Sequence, residues 1–143
     1  MTVKAILSRK GGDVVTIAPT AQLAEAVKLL AEHRIGAIVI TGPGERVAGI
    51  LSERDIVRVL AARGPAVLDE QVGDVMTRKV VTCSSAETIP EIMERMTAHR
   101  FRHLPVVEQS KLIGIISIGD VVKRRVEEIE RETNALRDYI ATA

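Results

Sequence analysis

Two short segments of the chain end in the same pattern, Gly-apolar-apolar-Ser-x-x-Asp: GILSERD at 49–55 and GIISIGD at 114–120. A serine followed three residues later by an acid, at the start of a helix, forms a capping box that satisfies orphan backbone amides. Capping accounts for either segment taken alone. Recurrence beside a strand that carries glycine adds a second reading, because glycine lets backbone approach a ligand closely. A helix N-terminus also attracts phosphates and other polar groups. A carboxylate fixed there, Asp55 or Asp120, offers two oxygens that accept hydrogen bonds from a vicinal diol such as that of ribose. The basic pair Arg102 and His103 stands at the edge of a predicted strand. There it is either a solvated surface feature or a cation matched to a phosphate.

The remaining reactive residue types point away from catalysis. His33–Arg34 and His99–Arg100 occupy matching helix ends, where a cation complements the helix dipole. His99 and His103 are four apart, but the chain passes from helix to strand between them and shares no helical metal face. Cys83 is the single cysteine, which excludes an internal disulfide and a multi-thiolate metal site. It reads as a packing residue in a reducing compartment. There is no nucleophile–base pair, P-loop or dinucleotide fingerprint, and a carboxylate placed to hold ribose is not by default a general base. No enzymatic activity and no metal site are expected.

An internal repeat positions these residues. Thr16 over Thr82, an offset of 66, aligns Glu25 with Glu91, His33 with His99 and Arg34 with Arg100. After a one-residue deletion the offset becomes 65, and Gly49 meets Gly114, Ser52 meets Ser117 and Asp55 meets Asp120. Each copy reads as β-α-β-β-α. VVTI (14–17) and VVTC (80–83) are short β-branched runs, hence strands. Segments 21–33 and 87–99 carry the stripe of an amphipathic helix. AIVIT (37–41) and RVAGILS (46–52) form one predicted hairpin, HLPVVE (103–108) and KLIGIIS (111–117) the other. Closing helices are predicted from about 53 to 62 and from about 119 onward. A unit of roughly 50 residues rarely holds a core alone, so the copies should pack on one another.

These readings divide the chain into a first domain with its lead-in (1–63), a linker with a short helix (64–79), a second domain (80–126) and a helical extension (127–143). In the extension, Val122, Val126, Ile129, Thr133, Leu136 and Ile140 are spaced alternately by four and three, a heptad seam. It lies either on its own protein or on a partner subunit.

Composition removes other classes. Of 143 residues, 46% are apolar, yet there is one Phe, one Tyr and no Trp. Single-strand nucleic-acid binding and cation cages both call for aromatic rings. Lys and Arg total 20 against 19 Asp and Glu, so no strong field draws nucleic acid or an anionic membrane. No apolar run approaches the ~18 residues of a membrane span. The N-terminus lacks the apolar stretch of a secretory signal. A soluble, cytoplasmic protein is expected.

The twofold repeat, with RFRHLPVVE before one hairpin and GIISIGDVV after it, resembles a tandem pair of cystathionine β-synthase (CBS) domains of the small stand-alone type, over residues 5–126. The resemblance implies an α/β (α+β) fold in which two β-α-β-β-α repeats pack through their sheets with pseudo-twofold symmetry, leaving two clefts. It implies adenosine-containing ligands there, among AMP, ADP, ATP, NAD(H) and S-adenosylmethionine, with no required cofactor. It implies a homodimer of pairs and a regulatory role exerted through conformation or an unidentified protein target. The alternative is a structural interaction module with vestigial clefts.

Carried onto this chain, the resemblance puts Asp120, Ser117 and Gly119 beside ribose and phosphate at a main site. Ile115 would line the adenine slot, with Ile35, Gly36 and Ala37 crossing from the first repeat, and Arg102 and His103 would meet phosphate. A second site would use Asp55, Ser52, Arg54 and Ile50, with Phe101 and Val80. Only the Asp120 side would have a phosphate-matched cation within its own repeat, so binding is expected to be tighter there.

Overall fold

The repeat folds as two α+β units in the computed structural model, which describes residues 1–142. Helix α1 (Val3–Lys10) leads into strand β1 (Thr16–Ile17), helix α2 (Leu23–His33), strands β2 (Ala37–Thr41) and β3 (Val47–Ser52), and helix α3 (Glu53–Arg63). A 3-10 turn (Pro65–Asp69) and the short helix α4 (Val72–Val75) join the units. Helix α5 (Ile89–His99), strands β4 (His103–Glu108) and β5 (Lys111–Ser117), and helix α6 (Ile118–Thr142) complete the chain.

In the first unit β1 pairs parallel with β2, and β2 antiparallel with β3. In the second, β4 pairs antiparallel with β5. The strand expected at 80–83 is reduced to a single parallel bridge, Cys83 to Val106. Cys83 N–H donates to Pro105 O at 3.0 Å and Val107 N–H to Cys83 O at 2.9 Å. The next rung toward Val81 needs an N–H from residue 105, which is proline and has none. The strand expected at 14–17 is likewise shortened, to Thr16–Ile17.

Each unit buries its helical stripes on one face of its sheet. Leu23, Ala26 and Leu30 of α2 meet Ile38, Ile40 and Leu51 in one core. Ile89, Ile92 and Met96 of α5 meet Leu104, Val106 and Ile116 in the other. Val39 points to the opposite face from Ile38 and Ile40 and is fully buried as well, as a strand covered on both sides must be. Cys83 lies within the second core; burial first, then Glu87, push its thiol up to about 12 despite nearby Arg95, so it is not a nucleophile at neutral pH.

The segment before each repeat crosses to the other one. Val3 and Ile6 of α1, grouped by chain order with the first domain, sit in the second core. Val3 N–H donates to Glu87 O and Ile89 N–H to Met1 O. Val67 and Val72 of the linker sit in the first core, and Val72 N–H donates to Ala21 O. The two matched glycines receive these crossings. A Cβ on Gly49 would stand 2.4 Å from Met76 Sδ and 2.9 Å from Thr77 O, and one on Gly114 would stand 2.6 Å from Leu7 Cδ2. Close approach at these glycines is therefore by the protein's own lead-in segments rather than by a ligand.

Candidate functional site

Both Ser-x-x-Asp segments cap a helix. Ser52 N–H and Oγ donate to Asp55 Oδ2 at 2.9 and 3.0 Å, while Asp55 N–H donates to Ser52 Oγ at 3.2 Å. Ser117 N–H donates to Asp120 Oδ2 at 2.8 Å, and Asp120 N–H to Ser117 Oγ at 3.1 Å. Capping holds each carboxylate at the mouth of its helix, beside the end of a strand. What surrounds the two carboxylates differs.

Asp55 opens onto a cavity of about 300 Å3. Gly36 and Ala37 at the start of β2, Ile50 and Ser52 of β3, and Glu53, Arg54 and Arg58 of α3 form one side. Thr77 and the run His99, Arg100, Phe101, Arg102 and His103 form the other. Four arginines thus face two carboxylates. Arg58 lies 3.7 Å from Asp55 Oδ1; Arg54, Arg100 and Arg102 make no ion pair among the described residues. Arg100 ends α5 in the left-handed region at φ 58°, which turns the chain sharply into β4. The rings of His99 and Phe101 stack with centroids 5.6 Å apart, giving the cavity its aromatic wall.

Asp120 is held in a close ion pair instead, though its side chain is no less exposed than that of Asp55. Lys10, the last residue of α1, donates to Asp120 Oδ2 at 2.7 Å and to Ile115 O at 3.0 Å. Burial would raise the Asp120 carboxyl, but Lys10 and the Ser117 N–H outweigh it and hold the group below the ordinary aspartate value. Asp120 also lines a cavity, of about 290 Å3, between α1 and α6, together with Ile6, Arg9, Lys10, Lys123, Arg124 and Glu127. Its cations are largely committed: Arg9 and Arg124 both meet Glu127, at 2.7 and 3.1 Å.

The residues expected at the main site are therefore divided. Arg102, His103, Gly36 and Ala37 line the Asp55 cavity, together with Arg54, Ile50, Ser52 and Phe101. Ser117 and Gly119 stay at the Asp120 corner, where Gly119 is exposed, and the Ile115 carbonyl is occupied by Lys10. Ile35 packs against the first core, and Val80 is half-buried outside both cavities, its place taken by Thr77. The physical reason is that the starts of β2 and β4 meet across the two units: a Cβ on Gly36 would be 3.2 Å from His103 Cε1. Arg102 at the start of β4 thus shares a cavity with the aspartate of the other repeat, and His103 stands between that cavity and Asp120. Burial, reinforced by Lys10 and Arg102, holds His103 below the usual histidine range, although Asp120 and Glu53 pull it upward. His103 is accordingly neutral near pH 7 and offers a hydrogen bond, leaving the positive charge to the arginines.

Sequence reasoning missed Arg58, His99 and Arg100 at this cavity and Lys10 at the other. Arg58 follows Asp55 by one helical turn, a signal that was available. His99 and Arg100 were explained by the helix dipole alone. Nothing local in the sequence joins Lys10 to Asp120, 110 residues later.

A model of the CBS domain matches the chain twice, over residues 3–62 and 72–127. The mitochondrial CBS domain-containing protein CBSX3 of Arabidopsis thaliana is 39% identical over 120 residues, covering 81% of this chain and 58% of that protein. The chain thus spans little more than half the length of this relative. The crystal structure of the CBS-domain protein ATU1752 from Agrobacterium tumefaciens is 49% identical with a TM-score of 0.84, covering 87% of this chain and 99% of that one. A CBS domain pair of protein MJ0100, solved in complex with 5-methylthioadenosine and S-adenosyl-L-methionine, is 25% identical with a TM-score of 0.77 over 86% of this chain and 98% of that one. No helix among the described residues is long and apolar enough to cross a membrane.

Proposed function

The chain belongs to the CBS-domain family, and from that premise we propose that it is a non-catalytic regulatory module that binds a phosphorylated adenosine ligand in the Asp55 cleft. The carrying observation is the cavity of about 300 Å3 whose lining holds four arginines together with a capped aspartate. Asp55 Oδ1 accepts from the ribose hydroxyls, and the purine lies against Ile50 and the Phe101 side of the cleft. Arg54, Arg100 and Arg102 meet phosphate, which a guanidinium binds through two parallel hydrogen bonds. The related pair that holds S-adenosylmethionine and methylthioadenosine supports an adenosine ligand. The unpaired arginines favour AMP, ADP, ATP or NAD(H) over the sulfonium cation of S-adenosylmethionine.

This assignment moves the principal site from Asp120, where sequence reasoning put it, to Asp55. Binding between the two units shifts their relative arrangement to the extent that the ligand favours one arrangement. A homodimer and a protein target are the means by which the shift is read out, and the free thiol of Cys83 supports a reducing compartment, the cytoplasm. The test is thermal unfolding against AMP, ADP, ATP, NAD(H) and S-adenosylmethionine. A true ligand at 100 times its dissociation constant stabilises by about 2.7 kcal/mol. The expected result is a shift with the phosphorylated compounds; none with any compound would return the chain to the class of interaction modules with vestigial clefts.

A further inference from the structure

The matched domains end at residue 127, and the last buried side chain of α6 is Arg124. The helix nevertheless runs on to Thr142. Along it Val122, Val126, Ile129, Leu136 and Ile140 are 46% to 65% exposed on the heptad seam, and Ile118 and Tyr139 are exposed beside it. Nothing in the same chain covers them. We propose that this stripe is the seam of a parallel two-stranded coiled coil formed with a second copy of the chain.

The residue types in the seam favour two strands, and those beside it set the direction. Val126, Thr133 and Ile140 fall at one heptad core position and Val122, Ile129 and Leu136 at the other. β-Branched residues at the first position with leucine at the second favour a dimer over larger bundles. The flanking charges are Arg125 and Glu132 on one side, and Glu130 and Arg137 on the other. In a parallel pair Arg125 faces the partner's Glu130, and Glu132 faces the partner's Arg137, opposite charges throughout. In an antiparallel pair with the same seam, Glu130 and Glu132 would each face their own copies and Lys123 would face the partner's Arg137. Repulsion disfavours that arrangement. Arg125 already meets Glu128 at 3.3 Å within the helix, whereas Glu132 and Arg137 are unpaired among the described residues. The second pair is therefore the one to test. The inference is independent of any nucleotide.

The experiment is sedimentation equilibrium on the full chain and three variants that touch only exposed positions. The wild type is expected to be dimeric. Glu132→Arg should raise the dimer dissociation constant roughly tenfold, since it turns two attractive pairs repulsive, and Glu132→Arg combined with Arg137→Glu should restore it. Leu136→Cys should give a disulfide-linked dimer on mild oxidation, because equivalent seam residues face each other only in the parallel arrangement; Cys83, 4% exposed, stays silent. A monomeric wild type overturns the proposal. So does a dimer indifferent to both charge variants, or one in which Leu136→Cys fails to link.

Discussion

The two Ser-x-x-Asp corners carry the same motif with the same capping hydrogen bonds, yet one carboxylate faces an arginine-lined cavity and the other a lysine. The difference comes from what crosses over each corner. At the first, linker backbone pairs with β3: Ile50 and Thr77 exchange hydrogen bonds at 3.0 and 2.9 Å, and no linker side chain bonds Asp55 among the described residues. At the second, α1 ends with Lys10 reaching both the Ile115 carbonyl and Asp120. The repeated motif thus carries a lysine from the preceding segment at one corner and none at the other.

The sharpest way to break this contrast is to remove each carboxylate. Asp55→Ala should weaken nucleotide binding by about 2–3 kcal/mol, the scale of hydrogen bonds to a charged group, and Asp120→Ala by much less, as read by calorimetry. Equal losses would return the two corners to equivalence. Next in size is packing beneath the corners. Gly49→Ala drives a Cβ against the Thr77 carbonyl, which is backbone, whereas Gly114→Ala meets the movable end of Leu7. Urea unfolding should show a loss of about 2–3 kcal/mol for the first and about 1 kcal/mol for the second.

Two smaller effects sharpen the electrostatic half. Lys10→Ala removes a partly exposed ion pair and should cost under about 1 kcal/mol of stability. It also frees Asp120 of its partner, so the stoichiometry of nucleotide binding should rise from one site toward two; an unchanged stoichiometry would mean that the Lys10 ion pair is not what sets the two corners apart. The last effect belongs to His103, whose folded value lies below the ordinary 6.5. Between the two values the unfolded chain binds the proton and the folded one does not, so stability falls as pH drops below 6.5. His103→Gln should flatten that part of the stability–pH curve, and an unchanged slope would assign it to other groups.

The helices, hairpins and capped corners were legible because each rests on contacts near in sequence: a stripe of apolar residues, a turn, a serine three residues before an acid. The second leading strand was misread because VVTC has the right residues, while its length is decided by Pro105, a proline on the neighbouring strand. The candidate site residues were legible in kind, while their grouping around the two corners differs in the structure. Asp55, Ser52, Arg54, Ile50 and Phe101 were grouped together, and all line one cavity. Arg102 and His103 were attached to the aspartate of their own repeat; both line the Asp55 cavity of the other, while His103 also stays within the field of Asp120 and Lys10.

The sequence by itself determined the twofold repeat, the α+β units and the two aspartates held at helix starts, since periodicity and capping act over a few residues. Tertiary structure alone decided which aspartate is tied to a lysine. That choice depends on α1 and the linker each crossing to the opposite unit, and on β2 and β4 starting side by side. Contacts between residues as distant as Lys10 and Asp120 leave no local pattern; they arise only when two sheets pack and bring unrelated chain segments over the same corner.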